Sequence, residues 1–342
     1  MIITRAPVRI GIGGGGSDLP AYYRQYGGRV VNATVNRYVY VMLSANRRGS
    51  VQLTSSDFSA FVNFEAGADL ATSDDALTLV RAALADFGVS EGIDVFTASE
   101  TPPGTGLGSS SATAVALVKA LSTYTGRHLT DQQIAERACH LELERLGSPI
   151  GKQDQYAAAF GGFNTFEFAS DGTVTVRPLA IEPPTVEALE RRLQLYFTGV
   201  QREANLILRA QSDNIAARRT EGAPTDLLDF ATQTEAALLS GDLDRLGALI
   251  REGWERKRGM AAGVSTDRID DWIACALANG ALGAKLTGAG GGGYLLAMAA
   301  AGDEERLRSA MLAEGLAPLD YRFDWSGARV LMNSEHRAAA VV

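Results

Sequence analysis

With only two cysteines and three histidines in 342 residues, the chain has little of the side-chain chemistry that builds metal centres or disulfide scaffolds. Cys139 and Cys275 stand far apart with no C-x-x-C spacing, which argues against a disulfide framework or a zinc site and fits a reducing cytoplasm. His128, His140 and His336 show no metal-ligand spacing either. No stretch approaches twenty uninterrupted apolar residues, and the opening MIITRAPVRIGIGGGG lacks an apolar core of secretory length. A cytoplasmic protein with no membrane partner is therefore expected. Positive charge is also short, with 32 Lys and Arg against 40 Asp and Glu, for a net charge of -8. That balance argues against non-specific binding to nucleic acid. It leaves room for an anionic substrate, because a few local cations and backbone N–H groups capture phosphate even on an acidic protein.

Apolar residues make up 46% of the chain, enough to fill a core across two domains or fused lobes. Residues 8–12 read as a short strand running into glycines 13–16, and 29–35, 38–45, 51–54 and 61–64 continue a strand-rich region. Leu77, Val80, Leu84 and Phe87 recur at helical spacing over 76–87. Residues 93–98 read as a strand, with helices over 109–124 and 131–146 and a hairpin over 163–168 and 174–179. Pro183-Pro184 suggests a break between a first lobe, 1–185, and a second, 186–342. The second has a strand at 193–198, helices over 202–217, 227–240, 243–257 and 267–279, and a strand at 294–299. A helix over 303–314 and a strand near 328–332 follow. Strands and helices mix without strict alternation, so the expected class is α+β.

Three glycine-rich loops stand out. In the first, Gly11 to Gly16 matches G-x-G-x-x-G, yet Pro20 falls where a dinucleotide-binding helix should be running, and no Asp or Glu stands about twenty residues on. Two readings remain: a tight turn, or bare backbone that a polyhydroxylated ligand approaches, with Asp18 accepting its hydroxyl protons. In the second, residues 103–112, small residues leave successive N–H groups uncovered. Ser109, Ser110 and Ser111 then cap and open a helix whose start carries roughly half a positive charge. Polyphosphate is the natural guest. No Lys follows Gly108, so a serine hydroxyl would have to serve Mg²⁺; an ordinary capped helix after a flexible turn is the plainer alternative. The third loop, Lys285 to Gly293, is glycine-dense enough that another backbone or a ligand must come very close.

Between the second and third loops lie Glu142, Glu144, Lys152, Asp154 and Gln155. Phosphoryl transfer needs a metal bridging the phosphates and a group that orients or deprotonates the attacking hydroxyl. Glu144 at a helix end suits the metal and Asp154 suits the base, with Lys152 and Arg9 as cations that keep Asp154 ionised. A solvated helix face accounts equally well for Glu142 and Glu144, and a helix cap for Asp154.

Taken in order and across nearly the whole chain, these segments resemble the GHMP small-molecule kinases. Ala6-Pro7-Val8-Arg9 with Gly14-Gly15-Gly16-Ser17-Asp18 looks like that family's substrate motif, Pro102 to Ala112 like its phosphate loop, and Lys285 to Gly293 like its third motif. The resemblance implies two α+β lobes, the first with a ribosomal-protein-S5-like half, and ATP between them. ATP and Mg²⁺ are the implied cofactors. It implies that Pro103, Gly104, Gly106, Leu107, Gly108, Ser109, Ser110 and Ser111 hold the nucleotide, and that Ser110 and Glu144 bind Mg²⁺. Asp154 would be the catalytic aspartate, assisted by Arg9. Gly14, Gly15, Gly16, Ser17, Asp18, Gln155, Arg202, Gly290 and Gly291 would face the sugar. Where galactokinases carry G-E-H-T-D, Gly14-Gly15-Gly16-Ser17-Asp18 lacks the acidic and histidine side chains, so galactose is not the expected substrate. With 151–156 and 196–202, the glycine-rich version is similar to the branch acting on D-glycero-α-D-manno-heptose 7-phosphate at its 1-position, and to the kinase part of fucokinase-type enzymes. A second phosphate would need cations, for which Arg24, Arg47, Arg48, Lys152 and Arg202 are candidates. Fucose or another hexose is the alternative acceptor, and a silent sensor or a decarboxylase the alternative class. The partner is a small sugar or sugar phosphate, with monomer or homodimer left open.

Overall fold

A long first strand organises the fold, and the computed structural model describes it together with the rest of residues 1–70, 75–201, 204–217 and 226–334. That strand, β1 (Ile2–Gly13), runs straight into the first glycine loop. Next comes a helix the sequence pattern did not announce, α1 (Pro20–Tyr26), whose proline sits in the first turn, where its missing N–H costs nothing. Where two strands were expected there is one, β2 (Gly28–Ala45). The polar pair Asn36-Arg37 interrupts the hydrophobic alternation, but a register shift against β1 between Pro7 and Val8 absorbs it as a bulge. The first lobe continues with β3 (Val51–Ser55), β4 (Ala60–Phe64), α2 (Thr78–Phe87), β5 (Ile93–Ser99), α3 (Ser109–Tyr124) and α4 (Asp131–Cys139). Thr130 and Gln133 form a capping box at the start of α4. The helix runs on as a π-helical turn, His140–Arg145, and after it come α5 (Gln153–Phe160), β6 (Phe163–Phe168) and β7 (Val174–Pro178).

The second half holds α6 (Pro183–Arg192), β8 (Leu193–Phe197), α7 (Ala204–Ala216), α8 (Asp226–Ser240), α9 (Leu243–Arg258) and α10 (Asp267–Ala278). It ends with β9 (Ala281–Leu286), β10 (Tyr294–Ala299), α11 (Glu304–Ala313), β11 (Ala317–Pro318) and β12 (Arg329–Asn333). Pro183-Pro184 does not break the chain; Pro183 opens α6. The large sheet runs β12-β1-β2-β5-β3-β4, with β6 and β7 on the far half of β2; all its pairs are antiparallel except β3 with β5. The second sheet is β11-β8-β10-β9. The first strand of the second sheet, β8, starts at Leu193, and strands of the large sheet stand on both sides of residue 185, because β12 returns to pair with β1. The first and last described residues meet there: the Met1 ammonium donates to Ser334 Oγ at 3.0 Å and the Ser334 N–H to the Met1 carbonyl at 2.9 Å.

Helix α3 lies on β1 and β2 and is buried nearly all round, with Ala112, Ala114, Val115, Ala116, Leu117, Val118, Ala120 and Leu121 inaccessible. Burying one such Leu or Val contributes about 1.5–3 kcal/mol. The helix is therefore a fixed strut, and its N-terminus has a fixed address. Four connections open at one side of the molecule: after β1, after β5, after the π turn and after β9. No helix among the described residues is long and apolar enough to cross a membrane.

Candidate active site

These four connections, with residues of α7, α8 and α9, line a cleft of about 910 Å³. In the second loop Gly104, Gly106 and Gly108 have φ of 74°, 83° and 79°, the left-handed region where a Cβ is strained. The serines do not cap α3 as expected. Gly108 occupies the cap position with no side-chain cap, and Ser109, Ser110 and Ser111 lie in the first turn. That arrangement leaves the first N–H groups of a rigid helix open beside the cleft, an anion site by geometry and dipole. Of the residues assigned to the nucleotide, Pro103, Gly104, Gly106, Gly108, Ser109, Ser110 and Ser111 line the cleft. Leu107 does not: its side chain is in the core, and its carbonyl accepts the Arg9 N–H at 3.0 Å.

The third loop meets the second backbone to backbone. A Cβ on Gly288 would lie 2.5 Å from Gly106 Cα, and one on Gly293 would lie 2.2 Å from the Thr105 carbonyl. Gly288→Ala combines that clash with a φ of 63° and should destabilise the fold by about 1–3 kcal/mol. Gly88→Ala, at φ 69° with nothing within 4 Å, isolates the backbone strain alone and should cost less. Thermal melts of the two variants give the comparison, and equal melting points would remove the packing argument. Gly290 and Gly291 serve packing too. They lie against Val264, whose carbonyl accepts the Gly291 N–H at 2.7 Å, and it is Lys285 to Ala289 that face the cleft.

Asp154 stands in the first turn of α5 against the start of α3, so close that a Cβ on Gly108 would be 2.9 Å from its Oδ2. Buried Arg9 holds it: Nε and Nη2 lie 2.7 and 2.5 Å from Oδ1, while Nη1 donates to the Gly106 carbonyl at 2.8 Å. One arginine therefore ties the carboxylate to the phosphate loop. Lys152 does not join them. Its ammonium donates to the Gly172 carbonyl at 2.7 Å and sits over the Tyr23 ring, because its position just before α5 turns the side chain toward the β6–β7 hairpin.

Beside Asp154, buried Asp18 accepts the Gly16 N–H at 3.0 Å and Gln153 Nε2 at 3.0 Å. Burial, and then the Asp154 charge, raise its pKa. Gly151 is required here, since a Cβ would lie 1.9 Å from Asp18 Oδ2. In the first loop Gly15 is open toward Gln153, whereas Gly14 packs on the Arg29 carbonyl and Gly16 near Met260. Ser17 is buried and binds the Gly14 and Arg29 carbonyls at 2.8 Å each, holding the loop rather than facing the cleft.

The carboxylate at Ser110 is Glu142, not Glu144. Glu142 is buried and accepts Ser110 Oγ at 2.9 Å and Gln155 Nε2 at 2.6 Å; burial pushes its pKa up to about 7 against the hydrogen bonds of Ser111, Ser110 and Gln155. Glu144 has a side chain 73% exposed and bonded to His140 Nδ1. The spacing carried the signal: Ile134, Ala138, Leu141 and Glu142 fall on the buried face, and a residue two further on points the other way. Gln155 is likewise corrected, because it is inaccessible and braces Glu142, while Gln153 faces the cleft. Arg202 lies outside the described residues. Arg24, Arg47 and Arg48 are exposed and line no part of the cleft; among the described residues its cations are Arg9, Arg256, Lys257 and Lys285.

Residues 75–162 match the GHMP kinases N terminal domain and residues 234–317 the GHMP kinases C terminal domain. The chain is 31% identical to the D-glycero-alpha-D-manno-heptose 7-phosphate kinase of Campylobacter jejuni, over 96% of this chain and 98% of that one. A D-glycero-D-manno-heptose 1-phosphate kinase of Bacteroides thetaiotaomicron superposes with a TM-score of 0.80 at 28% identity, covering 98% of this chain and 100% of the other. The bifunctional fucokinase/GDP-fucose pyrophosphorylase of Arabidopsis thaliana is 27% identical over 94% of this chain and 32% of its own length.

Proposed function

The chain belongs to the GHMP kinase family and is an ATP-dependent sugar kinase, and from that premise we propose that it phosphorylates the anomeric hydroxyl of D-glycero-α-D-manno-heptose 7-phosphate. The observation that carries the reading is the Arg9–Asp154 pair, pinned between the phosphate loop and the polar pocket of Asp18, Gln153 and Gly15. The open N–H groups at the start of α3 bind the polyphosphate. Asp18 accepts sugar hydroxyls and orients the ring. Asp154 takes the proton of the anomeric hydroxyl as its oxygen bonds to the γ-phosphorus and the bond to the bridging β-γ oxygen breaks, releasing ADP. Arg9 holds Asp154 in line and stays on the Gly106 carbonyl throughout.

Ser110 and Glu142 fit Mg²⁺: both offer oxygen, they sit 2.9 Å apart at the rim of the phosphate loop, and the carboxylate is fixed by Gln155. Among the described residues no group of three or more His, Cys, Asp or Glu gathers, which suits an ion that takes its other ligands from phosphates and water. Bound there, Mg²⁺ would supply charge neutralisation of the phosphates. ATP as donor suits a reaction in the cytoplasm.

Both heptose kinases named above act, by name, on a heptose already carrying a phosphate, which favours a phosphorylated acceptor; the fucokinase similarity favours a neutral hexose as second reading. ADP release from MgATP decides. Turnover of heptose 7-phosphate, absent with mannose, fucose, galactose and N-acetylgalactosamine and lost in Asp154→Ala, is the expected result. Turnover of fucose alone would transfer the assignment to that sugar, and an inert protein that still binds ATP would refute the kinase reading.

A further inference from the structure

Two glycines of the cleft have no reason within the fold to be glycine. Gly11 and Gly15 lie outside the left-handed region, unlike Gly14 and Gly16 beside them. Among the described residues, a Cβ on Gly11 would meet only Gln153 Oε1, at 3.5 Å, and one on Gly15 only Gln153 Nε2, at 3.9 Å. Those are ordinary contact distances, so packing would accept alanine at both positions. What the two side chains would do is cover the amide of Gln153, one from each end. Gly11, Gly15 and Gln153 all line the cleft.

The orientation of that amide follows from its partner. Asp18 Oδ1 accepts the Gly16 N–H at 3.0 Å, and Oδ2 accepts the Gln153 N–H at 3.3 Å and Gln153 Nε2 at 3.0 Å. Both carboxylate oxygens act as acceptors, so the amide nitrogen faces Asp18 and Oε1 is left over. No described residue donates to Oε1, which stands beside the bare face of Gly11. An ionised carboxylate offers about four lone-pair sites. Three N–H donors already occupy Asp18, which leaves it room for little more than a single hydroxyl of a ligand. The next free acceptor beside it is Gln153 Oε1.

We propose that Gln153 reads a ring hydroxyl of the acceptor through Oε1, next to the hydroxyl that Asp18 takes. Gly11 and Gly15 are bare so that the ring can lie against that amide. The proposal rests on the kinase reading and adds to it the residue that selects the acceptor. Two acceptor atoms side by side match hydroxyls on neighbouring ring carbons, while Asp154, next in the chain, faces the reacting one. A carbohydrate ring offers that pattern, and a linear acid or alcohol does not.

The test uses the full chain with MgATP and whichever sugar the panel above selects, comparing wild type, Gly15→Ala and Gln153→Met. Gly15→Ala should melt no lower than wild type, because alanine leaves the unfolded chain less freedom than glycine. Its KM for the sugar should still rise about 10-fold or more, since the added methyl takes the space of the ring, with KM for ATP within twofold. Gln153→Met keeps the length of the side chain and should raise the sugar KM about 10-fold, the size of one lost hydrogen bond. That loss should vanish on one of the 2-, 3- and 4-deoxy forms of the sugar, because there the wild type has no hydroxyl to read. A Gln153 that only braced Asp18 would show the same loss on every deoxy form, and that result overturns the proposal. So does a folded Gly15→Ala whose sugar KM stays within twofold of wild type, which decides the matter even if Gln153→Met fails to fold. Equal rises in the KM values for sugar and ATP overturn it as well. A wild type inert toward every sugar overturns the kinase reading and this proposal with it.

Discussion

Asp154→Asn should turn over heptose 7-phosphate about 10²–10⁴-fold more slowly than wild type, the usual contribution of a positioned base. The amide keeps the shape of the carboxylate but has no pair of electrons basic enough to take the hydroxyl proton. It also leaves Arg9, only 5% exposed, with the Gly106 carbonyl and a neutral amide in place of an ion pair. The melting temperature should therefore fall too, since removing one partner of a buried pair strands the other charge. Binding of ATP should persist, because the open N–H groups of α3 are untouched. The decisive measurement is kcat at saturating ATP alongside ATP affinity. An Asn variant within tenfold of wild-type kcat would mean that the proton goes elsewhere.

The second large effect contrasts two glutamates two residues apart. Glu142→Gln should cost about 10²–10³-fold in kcat/KM and raise the Mg²⁺ concentration needed for half activity, several kcal/mol being typical of a metal's stabilisation of phosphoryl charge. Glu144→Gln should stay within about twofold, as expected for an exposed side chain on a surface histidine. In the free protein burial holds the Glu142 carboxyl near pKa 7, so below that pH a proton competes with the cation and the Mg²⁺ requirement should rise. A Mg²⁺ titration of the two variants settles the matter, and a large effect at Glu144 with none at Glu142 would reverse the assignment.

The contrast also shows where sequence reading stopped. The three glycine loops were legible because glycine at a left-handed turn, or where two backbones touch, has no substitute, and Gly106, Gly108, Gly151 and Gly288 show that necessity in the structure. Arg9 and Asp154 were legible through their place in ordered motifs. Which glutamate faces inward depends on a helix face, and the register of Ile134, Ala138 and Leu141 held that information without being read for it. Gln155 and Lys152 were misplaced for a related reason. On a short helix starting at Gln153, successive side chains leave at about 100° intervals, so neighbours in a motif serve different cavities. Nothing local marked Lys257, and Lys285 was read only as the first residue of the third loop; what places both on the cleft is contact with loops distant in sequence.

The pairing of β12 with β1 bears on how the protein is made. On a ribosome the strand carrying Arg9 and leading to the first glycine loop emerges long before its partner strand, Arg329–Asn333. Until then one side of β1 is a bare sheet edge, able to pair with another chain. A message truncated shortly before residue 329 would encode every residue that lines the cleft and still release a protein with that edge open. Such a fragment should be lost to aggregation long before its chemistry could be measured.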